Sequence, residues 1–145
     1  MGYKFRYESL LKYRSFLKDM AEMEFSRAVA HNQELNRKKK IVLSAIERTL
    51  SEAIQLLKKG VSAGKYQQMI AYVERLKERL KMLEMEIEKS NREVELAREK
   101  LVDKMVDVKV LEKLSRKDFM EYKKRMAKRE MKLNDELYLI RFDKA

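Results

Sequence analysis

In the second half of the chain, positions 69, 73, 76, 80, 83, 87, 90, 94, 97, 101, 104, 108, 111 and 115 recur in alternating steps of three and four. They hold Met69, Val73, Leu76, Leu80, Leu83, Ile87, Ser90, Val94, Ala97, Leu101, Lys104, Val108, Leu111 and Ser115. Eleven of the fourteen are apolar. Such steps return a helical side chain to the same stripe, so this pattern predicts one long helix burying one seam against a partner helix. In the first half, Leu43, Ile46, Leu50, Ala53 and Leu57 predict a similar seam. Phe25, Ala28 and Leu35 continue it towards the N-terminus, with Asn32 between them. A buried Asn at a seam position sets register at some cost in stability, and an exposed one does neither. The first half is the less sharply patterned of the two.

What separates the two patterns is one short stretch. The chain has no proline, and its three glycines are Gly2, Gly60 and Gly64. Proline removes a backbone donor and clashes with the preceding turn, and glycine carries an entropy cost inside helices. The residues that interrupt helices are therefore confined to the N-terminal tip and to Lys59-Gly60-Val61-Ser62-Ala63-Gly64. The fold class expected is all-α, a long two-helix antiparallel coiled-coil hairpin. Residues 1–145 are read as a single domain: a helix over about 4–58, a turn at about 59–64 and a helix over about 64–140. Gly60 suits the left-handed conformation that closes a helix C-terminus. Lys58 and Lys59 complement the negative end of the first helix dipole. Ser62 is a candidate N-cap for the second helix. At about 1.5 Å per residue the helices span roughly 80 Å and 115 Å. Folding at the glycine stretch places Phe5 near position 119, so the last twenty or so residues project past the first helix.

Composition narrows the chemistry. The chain is 41% charged and has neither Cys nor Trp. That rules out a disulfide framework, a thiolate nucleophile and a cysteine zinc set. The N-terminus, Met1-Gly2-Tyr3-Lys4-Phe5-Arg6-Tyr7-Glu8, lacks the apolar core of a secretion signal. Arg6 and Tyr7 depart from the pattern that would let Gly2 accept myristate. No run approaches the roughly 18 apolar residues of a membrane span. A cytoplasmic location is expected. The net charge is +11, with one short basic run at Arg37-Lys38-Lys39-Lys40. A longer basic stretch holds Lys113, Arg116, Lys117, Lys123, Lys124, Arg125, Lys128, Arg129 and Lys132. It is either a solvated helical face or a surface for an acidic partner. Phosphates would be attracted at any nucleic-acid sequence, but no nucleic-acid motif accompanies the charge.

Enzymatic chemistry has little to stand on. The single histidine, His31, sits within the first helical pattern, where a lone imidazole more often serves structure than catalysis. Glu84, Glu86 and Glu88 are two apart and diverge around a helix. No phosphate-binding glycine loop or metal-ligand cluster is present in the sequence. The ten methionines read as gap fillers along the seam. The expectation is a non-enzyme with no catalytic residues, cofactor or metal.

The order of features resembles the FliJ family, stalk proteins of the bacterial flagellar type III export apparatus. The opening Phe5-Arg6-Tyr7-Glu8-Ser9-Leu10-Leu11-Lys12-Tyr13-Arg14 is similar to that family's N-terminus. Gly60 and Ser62, followed by Tyr72-Val73-Glu74-Arg75-Leu76, resemble its midsection. Lys109-Val110-Leu111-Glu112-Lys113-Leu114 and Arg129-Glu130-Met131-Lys132-Leu133-Asn134-Asp135-Glu136 resemble its C-terminal part. The last segment keeps only the final two residues of the family's usual Leu-Asp-Glu.

The resemblance implies a stalk that inserts into the hexameric flagellar export ATPase ring and promotes its assembly and activity. It also implies contact with the cytoplasmic domain of the export gate and, in some members, with export chaperones. The implied ATPase-binding residues are Phe5, Leu10, Leu11, Arg14, Glu130, Lys132, Asp135 and Glu136. The implied gate-binding residues are Tyr72, Leu76, Arg79 and Leu83, of which Arg79 and Leu83 depart from the small and polar residues of some members. Leu76 and Leu83 also belong to the seam, whereas Tyr72 and Arg79 lie off it. No nucleic-acid partner is expected, and membrane association is at most peripheral, at the inner membrane beneath the flagellum. The alternatives are the equivalent stalk of an injectisome, a basic nucleic-acid-binding coiled coil, and a plain coiled-coil homodimer. Steep salt dependence would mark the nucleic-acid binder.

Overall fold

The computed structural model describes residues 2–60 and 62–143. Met1, Val61, Lys144 and Ala145 lie outside the described residues, Val61 falling within the expected turn. Two helices make up nearly all of it: α1 (Glu8–Lys58) and α2 (Ala63–Asp143). Among the described residues there is no strand. The fold is an all-α helical hairpin.

α1 ends as its glycine dictates. The Lys59 N–H donates to the carbonyls of Gln55 and Leu56, both at 3.2 Å. The Gly60 N–H donates to the Leu57 carbonyl at 3.2 Å. Gly60 itself has φ +74°, a left-handed conformation that costs glycine no Cβ clash. At the start of α2 the Ser62 carbonyl accepts the Tyr66 N–H at 3.4 Å, which puts Ser62 at the N-cap position.

The chain forms two compact units: Ala21–Leu101, and Met1–Met20 together with Val102–Ala145. In the first, the two helices run antiparallel. Glu24 pairs with Lys100 at 3.1 Å, Asn32 with Asn91 at 2.7 Å, and Lys39 with Glu84 at 3.8 Å. Its core is Leu35, Val42, Ile46, Val73, Leu83 and Ile87, with Leu76 and Leu80 packed against it. One polar layer interrupts the seam. Ser90 is 2% exposed, and the Asn32 Nδ2 donates to its Oγ at 3.2 Å. Asn36 Nδ2 donates to the Asn32 Oδ1 at 3.0 Å, so the Asn32 amide has partners at both ends.

In the second unit, Arg14 meets Asp107 at 3.4 Å and Tyr3 meets Asp118 at 2.8 Å, again antiparallel. Phe5, Val108 and Leu111 are its buried apolar residues. Lys18 and Lys104 are half-buried at seam positions. Their long apolar stems can lie along the seam while the ammonium groups reach water.

All fourteen seam positions of α2 are buried or half-buried. α1 departs from expectation. Leu43, Leu50 and Leu57 are exposed, and the seam instead takes Val42, Ile46, Thr49, Ala53 and Leu56. Stepping from Leu35 by four, three and four reaches Lys39, Val42 and Ile46, so one unbroken stripe runs through these residues. Thr49 fits because its hydroxyl donates to the Ala45 carbonyl at 2.7 Å.

α1 also begins at Glu8, later than expected. The preceding residues form an aromatic clasp. The Tyr3 ring lies 5.0 Å from Phe119 and 5.2 Å from Tyr122, centroid to centroid, and Phe5 lies 5.8 Å from Tyr7. Burial of Phe5 and the packing of Tyr3 on Phe119 and Tyr122 outweigh another turn of helix, since large aromatic contacts are worth more than local propensity.

Candidate functional site

Two surfaces hold the candidate binding residues, one in each unit. In the unit built from both ends of the chain, Phe5 is 8% exposed. It is part of the interior and offers little to a partner. Leu10 is exposed, and Leu11 is half-buried. Leu11 lines a shallow groove of about 390 Å³ with Glu8, Lys12, Ser15, Phe16 and Asp19. Arg14 is held in its ion pair with Asp107. This pair is more than a third exposed, so its worth is screened and small.

The Tyr3 clasp is the most specific polar feature of this surface. Its hydroxyl donates to Asp118 Oδ2 at 2.8 Å and lies 3.4 Å from the Ser115 carbonyl. Loss of solvent around the ring, then the bond and the charge of Asp118, hold the phenol above its usual pKa. Burying the phenolate, or placing it beside a carboxylate, disfavours ionisation.

Glu130, Lys132, Asp135 and Glu136 lie on a different part of the same unit. α2 is exposed on every side from position 123 to position 143. The N-terminal segment is paired with residues 115–122, and these four follow eight to fourteen residues later. At about 1.5 Å per residue they begin roughly 12 Å farther along the helix. The structure therefore does not gather the eight expected residues into one patch. It places Leu10 and Leu11 beside a clasped N-terminus, and the other exposed members on a bare helix.

That bare segment is chemically zoned. Residues 123–132 carry Lys123, Lys124, Arg125, Lys128, Arg129 and Lys132 against the single acid Glu130. Residues 133–143 carry Leu133, Leu137, Tyr138, Leu139, Ile140 and Phe142, each more than half exposed. Tyr138 and Phe142 stack at 6.4 Å. Large apolar side chains exposed on a helix that is bare all round make this segment a candidate interaction site. The missed signal is the density of large apolar residues after position 133, where the seam of α2 has already ended.

The second surface lies on α2 in the unit Ala21–Leu101. Tyr72 and Arg79 are exposed, while Leu76 is half-buried against the core and Leu83 is 3% exposed. A helical stripe of four thus divides into two side chains at the surface and two in the seam. The Arg75 guanidinium lies 5.9 Å from the Tyr72 ring centroid. Tyr72 also borders a groove of about 430 Å³ with Thr49, Glu52, Leu56, Lys65, Gln68 and Met69. Those neighbours were not expected, because the groove depends on which face of α1 turns inward.

Among the described residues, no helix is long and apolar enough to cross a membrane. A family model described as Flagellar FliJ protein matches residues 3–145. No curated protein and no solved structure gives a match.

Proposed function

We infer the role of this chain from one premise: it belongs to the flagellar FliJ family, and so is a component of the flagellar export apparatus. The role proposed is a non-enzymatic stalk, located at the cytoplasmic face of the export apparatus. It enters the axial opening of a hexameric export ATPase and couples it to the export gate. The observation that supports this most is the bare end of α2, residues 123–143, exposed on all sides. A helix is about 10–12 Å across, so a single uncovered helix is a narrower peg than a paired one. A central peg touches several subunits at once and binds the assembled ring better than free subunits. Mass action then favours assembly. The basic zone steers the peg towards acidic groups at the opening and speeds encounter more than it adds affinity. The gate surface is assigned to Tyr72 and Arg79, with Leu76 and Leu83 supporting the helix beneath them.

The test is steady-state ATP hydrolysis as a function of ATPase concentration. The full chain is expected to stimulate most when the ATPase is dilute. Removing residues 129–145, which leaves the clasp and both cores intact, is expected to abolish stimulation. Equal stimulation by the truncated chain would reject the peg.

A further inference from the structure

The bare end of α2 carries a second seam. Phe119, Met126, Leu133 and Ile140 are spaced by seven, and Leu137 falls between the last two. Sevenfold spacing keeps them on one stripe, the arrangement by which a helix meets another helix. The stripe begins at Phe119, whose ring packs on Tyr3, and runs on past the residues that Tyr3 touches. Met126 is 37% exposed, Leu133 57% and Ile140 51%, so among the described residues the stripe faces outward.

Charge divides this segment along its length. Residues 123–132 hold six basic side chains and one acid, a net +5. Residues 133–143 hold Asp135, Glu136 and Asp143 against Arg141, a net −2. Leu133 stands between the halves, midway between Met126 and Ile140.

We propose that this segment pairs with the same segment of a second copy of the chain, antiparallel, about a two-fold axis at Leu133. In that arrangement Leu133 meets its own counterpart, and Met126 faces the partner's Ile140. The basic half of each copy lies along the acidic half of the other, twice over, as a two-fold interface requires. A parallel pair would set two +5 halves side by side, which like-charge repulsion opposes. The shared length is 21 residues, about 30 Å. A seam of three heptads is at the short end for a coiled coil, so pairing is reversible and depends on concentration. The paired form covers the stripe that a ring partner would use. The pairing itself does not rest on the ring reading and is tested without any ATPase.

The experiment exploits the absence of cysteine from the chain. Sedimentation equilibrium of the full chain is run from low micromolar to near-millimolar concentration. The mass is expected to rise from 17.5 kDa towards twice that value. Leu133→Asp, at an exposed position, is expected to hold the mass at the monomer over the same range with helicity unchanged. Single-cysteine variants then read the orientation under mild oxidation. Leu133→Cys is expected to cross-link to its own copy. Met126→Cys and Ile140→Cys are each expected to stay uncross-linked alone but to cross-link when the two variants are mixed. A monomer at every concentration overturns the proposal and leaves the stripe to another partner. Self-association that survives Leu133→Asp places the interface elsewhere and overturns it too. Equal cross-linking of all three single variants means a parallel pair and overturns the antiparallel assignment.

Discussion

At the scale of single residues, exposure separates side chains that the sequence treats alike. Leu83 and Leu57 are both leucines at helical seam spacing, yet Leu83 is 3% exposed and Leu57 is 52% exposed. Leu83→Ala should lower unfolding stability by about 2–5 kcal/mol through lost burial and a residual cavity. Leu57→Ala should change it by about 0.5 kcal/mol or less. Urea melts of the two variants, compared at equal m-value, decide this; equal losses would contradict the assignment of the α1 seam. Tyr3 offers a test by pH. Its phenol is held above the ordinary value by burial and by Asp118. The folded chain therefore keeps the proton longer than the unfolded chain does. The clasp's contribution is complete below the unfolded value of about 10 and declines as pH rises through the folded one. The Tyr3→Phe variant should lack this alkaline loss, and phenolate absorbance should show one tyrosine fewer titrating late. An unchanged late-titrating population would assign the raised group elsewhere.

At the scale of elements, the two glycines of the turn have opposite roles. Gly60 has φ +74° and nothing within 4 Å of a built Cβ, so a side chain there meets backbone strain rather than a clash. Gly60→Ala should cost about 1–2 kcal/mol. Gly64 lies within the first turn of α2, also with open space around it. Gly64→Ala should stabilise by about 0.4–1 kcal/mol, by restricting the unfolded chain. Thermal melts of both variants should therefore move in opposite directions, and a shared direction would mean the turn is misassigned. The α2 seam was legible because its fourteen positions repeat over so many turns that no other phase competes. The α1 seam was not. Its stripes through Val42, Thr49 and Leu56 and through Leu43, Leu50 and Leu57 share Ile46 and Ala53, and the second is the more apolar. Thr49 discouraged the correct phase, although its hydroxyl is satisfied within its own helix.

At the scale of the whole molecule, family membership assigns the chain to flagellar export, and the surfaces divide the work proposed for it. Tyr72→Ala and Arg79→Ala should weaken binding to an export-gate cytoplasmic domain while helicity stays unchanged. Truncating an exposed aromatic or arginine at the centre of an interface typically costs more than about 1 kcal/mol of binding. Titration calorimetry against the isolated gate domain measures this, and unchanged affinity in both variants would remove them from the surface. Salt offers an independent check. The chain's +11 charge should make association with an acidic partner slower as ionic strength rises, chiefly through the on-rate.

The sequence alone determined the two helices, the turn between them and the inward stripe of α2. Each follows from a local cause: period, the exclusion of proline, and a glycine free to take positive φ. It also carried the family resemblance, because that depends on the order of short segments along the chain. Tertiary structure decided what depends on a partner far away in sequence. Tyr3 reaches Asp118 across 115 positions, and that clasp, rather than helix propensity, holds the N-terminal segment out of α1. The partner helix likewise chose between two nearly equal stripes on α1. Among the expected binding residues, the clasped N-terminal segment put Phe5 inside, whereas Leu83 is buried and Tyr72 and Arg79 exposed as the α2 stripe already implied. Periodicity says that a helix has an inside; only the packed partner says which residues are on it.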